Sequence, residues 1–398
     1  MIYLDNVATT KILPEVIESM IPYLTDQYGN PSSIYKLGQD SKTAINNVRK
    51  IIADAIGAEE TEIFFTSCGT ESNNWAIKGS AELGKKDKRN HIITTQFEHH
   101  AVLHTVEYLA ENGFEVTYLP VYEDGIVKIQ DVEAEIRDNT CVVSIMYANN
   151  EIGTIQPISE IGEICKQKGI LFHTDAVQAL GILKMDVNKL NVDMLSMSAH
   201  KLHASKGIGA LYIRSGIKIP NLLHGGGQEF LRRAGTENVA SIVGFGKAVE
   251  CAMSKMDKKI ANVSKLRDKL IDFVLKNIPK ARLNGSKNNR LPGNVNFSFE
   301  GLEGESLILL LQEHGIYAST GSACTSGSLN PSHVLLSIGL SHEIAHGSLR
   351  LTISDLNTED EIDKVIEVLP QVISRLRSMS PIWNDELIDY VAKQHAKS

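Results

Sequence analysis

From about residue 40 to residue 215 helical and strand signals alternate, and this alternation restricts the fold more than any other feature of the chain. "SKTAINNVRKIIADAIG" puts Ile45, Val48, Ile52 and Ala55 on one helical face and stops at Gly57. "EIFFT" reads as a buried strand, "HIITT" as another, and "AVLHTVEYLAENG" as the helix between that strand and "EVTYL". "CVVSIMY", "GILFHTD", "DMLSMSA" and "GALYI" follow as short apolar strands, with "ISEIGEICKQKG" helical between two of them. The pattern predicts an α/β domain with a mostly parallel sheet covered on both faces. Ligands of such sheets bind beyond the carboxyl ends of the strands. That rule points to residues 67–71, 98–99, 149–151, Asp175 and 200–201.

From about residue 256 the character changes. Long helical patterns ("KLRDKLIDFVLKNI", "GESLILLLQEHG", "TEDEIDKVIEVLPQVISRLRS") flank strands such as "NVNFSFEG" and "SLRLTIS", which predicts a smaller α+β domain. Pro370 is expected to kink or divide the last helix. A chain of 398 residues exceeds one simple core and fits two or three domains. The net charge of −8 and the lack of a long Lys/Arg block give no footprint for direct nucleic-acid binding. Apolar runs fall short of a membrane span, and "MIYLDNVATT" lacks the basic and apolar regions of a signal peptide. The five cysteines, Cys68, Cys141, Cys165, Cys251 and Cys324, are scattered and form no CxxC pair, so neither a disulfide framework nor a metal site is expected. Together these features predict a reduced, cytoplasmic enzyme.

The segment richest in chemistry is "DMLSMSAHKLHASKGIGALYI". Lys201 follows an apolar strand at its carboxyl end, where partial desolvation favours a neutral amine able to form a Schiff base. A lysine whose stem snorkels out of a strand end fits the same segment. Asp175 closes "GILFHTD", where it can pair with a pyridinium nitrogen or cap a helix beginning at "DAVQAL". In "FFTSCGTESNN" a strand runs through a tight turn at Gly69 into a helix start, and its backbone N–H groups with the Thr70 hydroxyl make a phosphate cradle. Lysine, aspartate and cradle together describe a pyridoxal 5′-phosphate site.

Across essentially its whole length the sequence resembles the cysteine desulfurases of the NifS/IscS-like class. The matching stretches are "YLDNVATT", "GNPSS", "FTSCGTESNN", "EHHAVL", "NNEIGTIQPI", "HTDAVQALG", "SAHKLHASKGIGALY", "GGGQEF…RAGTEN" and "GSACTSGSLNPSHVL". The resemblance implies a PLP-dependent transferase of fold type I. Its large domain, over residues 13–256, would hold a mostly parallel seven-stranded sheet; residues 1–12 and 257–398 would form the small domain carrying the cysteine loop. It implies conversion of L-cysteine to L-alanine, with the sulfur taken by Cys324 as a persulfide. It also implies a homodimer and a sulfur-acceptor protein, either an iron–sulfur scaffold or a thiolation enzyme.

By the same resemblance Lys201 would hold the cofactor and move protons. His99 would stack on the ring and assist proton transfer, and Asp175 would pair with the ring nitrogen. Asn150 and Gln178 would contact the ring oxygen. Gly69, Thr70, Ser198 and His200 would bind the phosphate, joined by Thr236 of a second subunit. Arg350 would clamp the substrate carboxylate, and Asn30 would lie near the substrate. Cys68 is expected to be a small buried residue, Cys141, Cys165 and Cys251 structural, and His100, His104 and His203 packed or surface histidines. The chain departs from the pattern at Val7, at Ala204 and Ser205 where Gly-Pro is usual, and at Phe230 and Leu231 where Arg-Gly is usual. A positive φ at Ala204 would strain the alanine, so the loop is expected to take another shape. Two related chemistries stay open at this point: a selenocysteine lyase, and an aminotransferase in which Cys324 is not catalytic.

Overall fold

The computed structural model describes residues 1–254, 256–320, 331–381 and Trp383. Cys324 lies outside the described residues, as do residues 384–398. The chain opens with β1 (Ile2–Tyr3), α1 (Pro14–Leu24) and α2 (Lys36–Ile56), the last ending where Gly57 turns left-handed at φ 69°. Strands and helices then alternate: β2 (Ile63–Thr66), α3 (Gly69–Lys86), β3 (His91–Thr95), α4 (His100–Glu111), β4 (Glu115–Leu119), α5 (Ile129–Glu135), β5 (Thr140–Ser144), α6 (Ile158–Lys168), β6 (Leu171–Asp175), β7 (Met194–Ser198) and β8 (Gly209–Ile213). After one irregular turn, α7 (Gln228–Leu231), come α8 (Val239–Met253), α9 (Met256–Asn277), β9 (Ala281–Leu283), β10 (Asn294–Phe299), α10 (Gly304–Glu313) and β11 (Ile316–Tyr317). The described chain closes with α11 (His333–Ser337), α12 (His342–His346), β12 (Ser348–Thr352) and α13 (Glu359–Met379).

Seven strands form one sheet in the order β2-β8-β7-β6-β5-β3-β4. All run in one direction except β8, which is antiparallel to both β2 and β7. Every residue of β3, β5, β7 and β8 is buried, as expected of strands covered on both faces. Because six strands share a direction, the segments that follow β2, β3, β5, β6 and β7 emerge on one side of the sheet. The candidate residues meet on that side.

A second sheet, β12-β10-β9, is antiparallel throughout and packs against α9, α10 and α13. Phe297 and Phe299 of β10 are fully buried there, each contributing about 1.5–3 kcal/mol through burial. Leu4 joins this core from the N-terminus, and β1 pairs in parallel with β11.

From the stretch 333–346, Val334, Leu335, Ile338, Leu340 and Ala345 are buried in the core of the large sheet. Of the two outcomes expected at Pro370, division is excluded: the last helix runs through it unbroken, 21 residues from Glu359 to Met379. Leu369, Val372 and Ile373 are all buried on the second core, and this packing outweighs the one backbone hydrogen bond that proline removes.

Candidate active site

A cavity of about 270 Å³ opens at the carboxyl ends of the parallel strands. Asp175, the last residue of β6, lies in its wall and is 6% exposed. Its Oδ2 accepts from Asn73 Nδ2 at 2.6 Å, and its Oδ1 accepts from the Val177 backbone N–H at 3.0 Å. Both oxygens are thereby held in fixed directions.

Above it, α3 begins at Gly69 with no side chain capping its first turn. The first backbone N–H groups of any helix lack intrahelical partners, so this end is suited to an anion. Gly69 is required by close approach: a Cβ there would meet Val177 Cγ2 at 2.7 Å. Burial alone would raise the Glu71 carboxyl, but hydrogen bonds from Arg233 and Ser67 hold it below the ordinary carboxylate range.

Lys201 stands in the single 3₁₀ turn that follows β7. Its Nζ donates to the carbonyls of Val7 and Ala8, the latter at 2.8 Å. His99 caps α4, its Nδ1 accepting from the Ala101 N–H at 3.1 Å. The ring proton therefore resides on Nε2. Burial, aided by the Lys201 charge and opposed by Asp175, keeps the His99 pKa below its ordinary value. Burial takes His200 down to about 4, so it too is neutral.

Arg350 projects from the middle of β12 into the same cavity and is 3% exposed. Its Nη2 donates to Asp5 Oδ1 at 2.9 Å, while Nε is buried without a hydrogen-bond partner among the described residues. The Arg350 backbone bridges to Ser319, so the chain enters the segment carrying Cys324 beside the guanidinium. On the far side of that segment Ser332 Oγ donates to Glu151 Oε2, and His333 Nε2 bonds the Glu98 carbonyl at 3.0 Å. Burial pushes Glu151 up to about 7 and Glu98 up to about 8.

Gly69, Thr70, His99, Asn150, Asp175, Gln178, Ser198, His200, Lys201 and Arg350 all line this one cavity. Asn30 does not: it is exposed and closes a turn by accepting from the Ser32 N–H at 2.9 Å. Thr236 is also exposed and outside the cavity lining. Cys68 differs from expectation; it is half-buried, stands at the residue before α3 without a side-chain cap bond, and lines the cavity. Cys141 and Cys165 are buried and Cys251 half-buried, all as free thiols. His203, not Ala204, takes the positive φ (62°), which leaves Ala204 unstrained in the core. Sequence reading missed Asn73, Asp5 and the two carbonyls on Lys201. The spacing of Asn73 four residues after Gly69, on the same face of α3, was the available signal for the first.

An open helix N-terminus, a floor carboxylate, a lysine amine and a neutral histidine around one cavity fit a phosphorylated pyridine cofactor. The buried oxygen of Asn73, without a partner among the described residues, and the approach that only glycine allows at residue 69 belong to the same wall.

The chain belongs to the aminotransferase class-V family, whose model matches residues 2–365. Within that family it stands with the cysteine desulfurases. It is 59% identical over 385 residues to "Cysteine desulfurase IscS" of Methanosarcina thermophila, covering 97% of this chain and 95% of the relative. It is 57% identical over 386 residues to the protein of the same name from Clostridium botulinum, covering 96% and 97%. Among solved structures a "NIFS-LIKE PROTEIN" superposes with a TM-score of 0.89 at 40% identity, over 94% of this chain and all of that one.

Proposed function

We propose that the protein is a cysteine desulfurase with pyridoxal 5′-phosphate as its resident cofactor. It converts L-cysteine to L-alanine and leaves the sulfur on Cys324 as a persulfide. The observation that carries this reading is the meeting of Lys201, Asp175, His99 and Arg350 around one cavity, in a chain so close to proteins named for that reaction.

When bound, the cofactor supplies an electron sink for the carbon bearing the substrate amine. The remaining work falls to the protein. The N-terminus of α3 with Gly69, Thr70, Ser198 and His200 holds the phosphate, and Thr236 of a second copy completes that set. Asp175 pairs with the ring nitrogen and keeps its proton in place. Asn150 and Gln178 would hydrogen-bond the ring oxygen, and neutral His99 would pack against the ring. Lys201 would hold the cofactor, and its amine would take the proton from the substrate Cα. Arg350 grips the substrate carboxylate through two parallel N–H bonds.

Cys324 then attacks the substrate sulfur as a thiolate. A sulfur–sulfur bond forms and the Cβ–S bond breaks. Its electron pair stays with the carbon skeleton, which takes a proton and leaves as L-alanine. The outer sulfur passes to a thiol of an acceptor protein, an iron–sulfur scaffold or a thiolation enzyme.

A second copy of the chain is part of this reading. Ile17, Ile21, Leu24, Tyr28, Ile34 and Tyr35 are all exposed along α1 and the stretch after it, an apolar surface of the kind that partner chains cover. Free thiols at Cys68, Cys141, Cys165 and Cys251 suit the reducing cytoplasm, and no described helix is long and apolar enough to cross a membrane. The two-domain division is kept near residue 256, with residues 333–346 assigned to the large body.

The test is to add L-cysteine to the cofactor-loaded protein and follow alanine and sulfide. The reading expects equimolar alanine and transferable sulfur. Turnover that requires an α-ketoacid and survives Cys324→Ser would assign an aminotransferase instead.

A further inference from the structure

Asn73 lies in the second turn of α3, one turn beyond Gly69, and is 1% exposed in the cavity wall. Its Nδ2 donates to Asp175 Oδ2 at 2.6 Å, while its own Oδ1 is buried without a hydrogen-bond partner among the described residues. The opposite orientation of the amide would set two acceptor oxygens against each other, so the carboxylate dictates which end faces it. A side chain present only to fill space would be apolar, or would satisfy both ends of its amide. Asn73 does neither. Its residue type is explained by Asp175.

The last torsion of an aspartate is broad and soft, so one hydrogen bond leaves the carboxylate free to twist. The Val177 N–H holds one oxygen, and Asn73 supplies the second point that fixes the plane. We propose that Asn73 is a positioning residue for the reaction: it locks the Asp175 carboxylate in the orientation that receives the cofactor's ring nitrogen. This rests on the pyridoxal phosphate reading above. Asn73 touches neither cofactor nor substrate in this role and acts only through Asp175.

The experiment titrates apoprotein with pyridoxal 5′-phosphate for wild type, Asn73→Ala, Asp175→Asn and the double variant. It records the dissociation constant and the visible absorption band of the bound cofactor. Asn73→Ala is expected to weaken binding about tenfold or more, the scale of a lost hydrogen bond to a charged group. It is also expected to move the band in the same direction as Asp175→Asn. In the double variant the loss should barely exceed that of Asp175→Asn alone, because both changes remove one interaction. The proposal is overturned if Asn73→Ala binds and absorbs as wild type does while Asp175→Asn does not, or if the two losses add. If wild-type protein forms no visible band, the cofactor reading falls and this proposal with it. Should circular dichroism find Asn73→Ala unfolded, Asn73→Ser carries the same test, since its hydroxyl is too short to reach Oδ2.

Discussion

Ser319 and Arg350 exchange both backbone hydrogen bonds: Arg350 N–H donates to the Ser319 carbonyl at 2.6 Å, and Ser319 N–H to the Arg350 carbonyl at 3.2 Å. The strand that carries the guanidinium therefore also fixes where the chain sets out toward Cys324. Ser332 and His333 fix where it returns, on Glu151 and beside Glu98. One foot of this segment thus pairs with the cavity-lining Arg350, and the other bonds Glu151 and the Glu98 carbonyl, next in sequence to the cavity-lining Asn150 and His99.

Arg350 is predicted to act on substrate binding and orientation. Arg350→Ala should lower kcat/KM for L-cysteine by about a hundredfold or more, the scale of a lost charged fork pair. Arg350→Lys should recover only part, because an ammonium cannot make two parallel bonds. Cofactor absorbance should stay as in wild type, which spectra before substrate addition would check.

Gly69→Ala is predicted to destabilise the fold and weaken the phosphate cradle together. The added methyl would press on Val177 Cγ2 at 2.7 Å, and such overpacking costs about 1–3 kcal/mol. Val177→Ala should restore much of the loss. Thermal unfolding of the single and double variants measures this directly.

Arg49 and Glu229 form a buried fork pair, both bonds 2.8 Å, and Glu229 also accepts from the Phe65 N–H. The pair anchors residues 229–231, all at positive φ. Phe230 there lies over the Arg49 guanidinium, 4.8 Å from its ring centroid. Arg49→Ala leaves a buried carboxylate uncompensated and should cost about 3–5 kcal/mol. Chemical denaturation of Arg49→Ala beside the double Arg49→Ala/Glu229→Leu should find the double the more stable.

Stability should fall with rising pH on account of Glu98. Its folded pKa, about 8, stands above that of an exposed glutamate because burial disfavours the charge. Between those two values the folded chain holds a proton that the unfolded chain has lost. The contribution is thus complete below the unfolded pKa and disappears as pH rises through about 8. Glu98→Gln should flatten the decline in Tm between about pH 4.5 and about pH 8.

Much of this was legible because strand ends are legible. Apolar runs with sharp polar stops located Asp175, His99 and Lys201, and parallel topology then obliged them to meet. The reversal of β8 carried no signal, since a buried strand reads alike in either direction. Asn73 escaped notice because a polar residue early in a helix usually faces solvent, and only the packing of α3 on β6 turns it inward. That the apolar side chains of residues 333–346 pack on the large sheet's core was not legible, because short helices have apolar faces suited to either core. Asn30 and Thr236 lie outside this cavity, and spacing along the sequence carried nothing to separate them from the residues that line it.

The central claim is that Cys324 receives the substrate's sulfur. The most direct measurement is intact-protein and peptide mass spectrometry of the loaded enzyme after brief exposure to L-cysteine without reductant. The account predicts a gain of one sulfur atom on the peptide containing Cys324, with one alanine released per site, and neither from Cys324→Ser in a single turnover. Alanine and sulfide released by Cys324→Ser at the wild-type rate, with no added sulfur on the wild-type peptide, would contradict it.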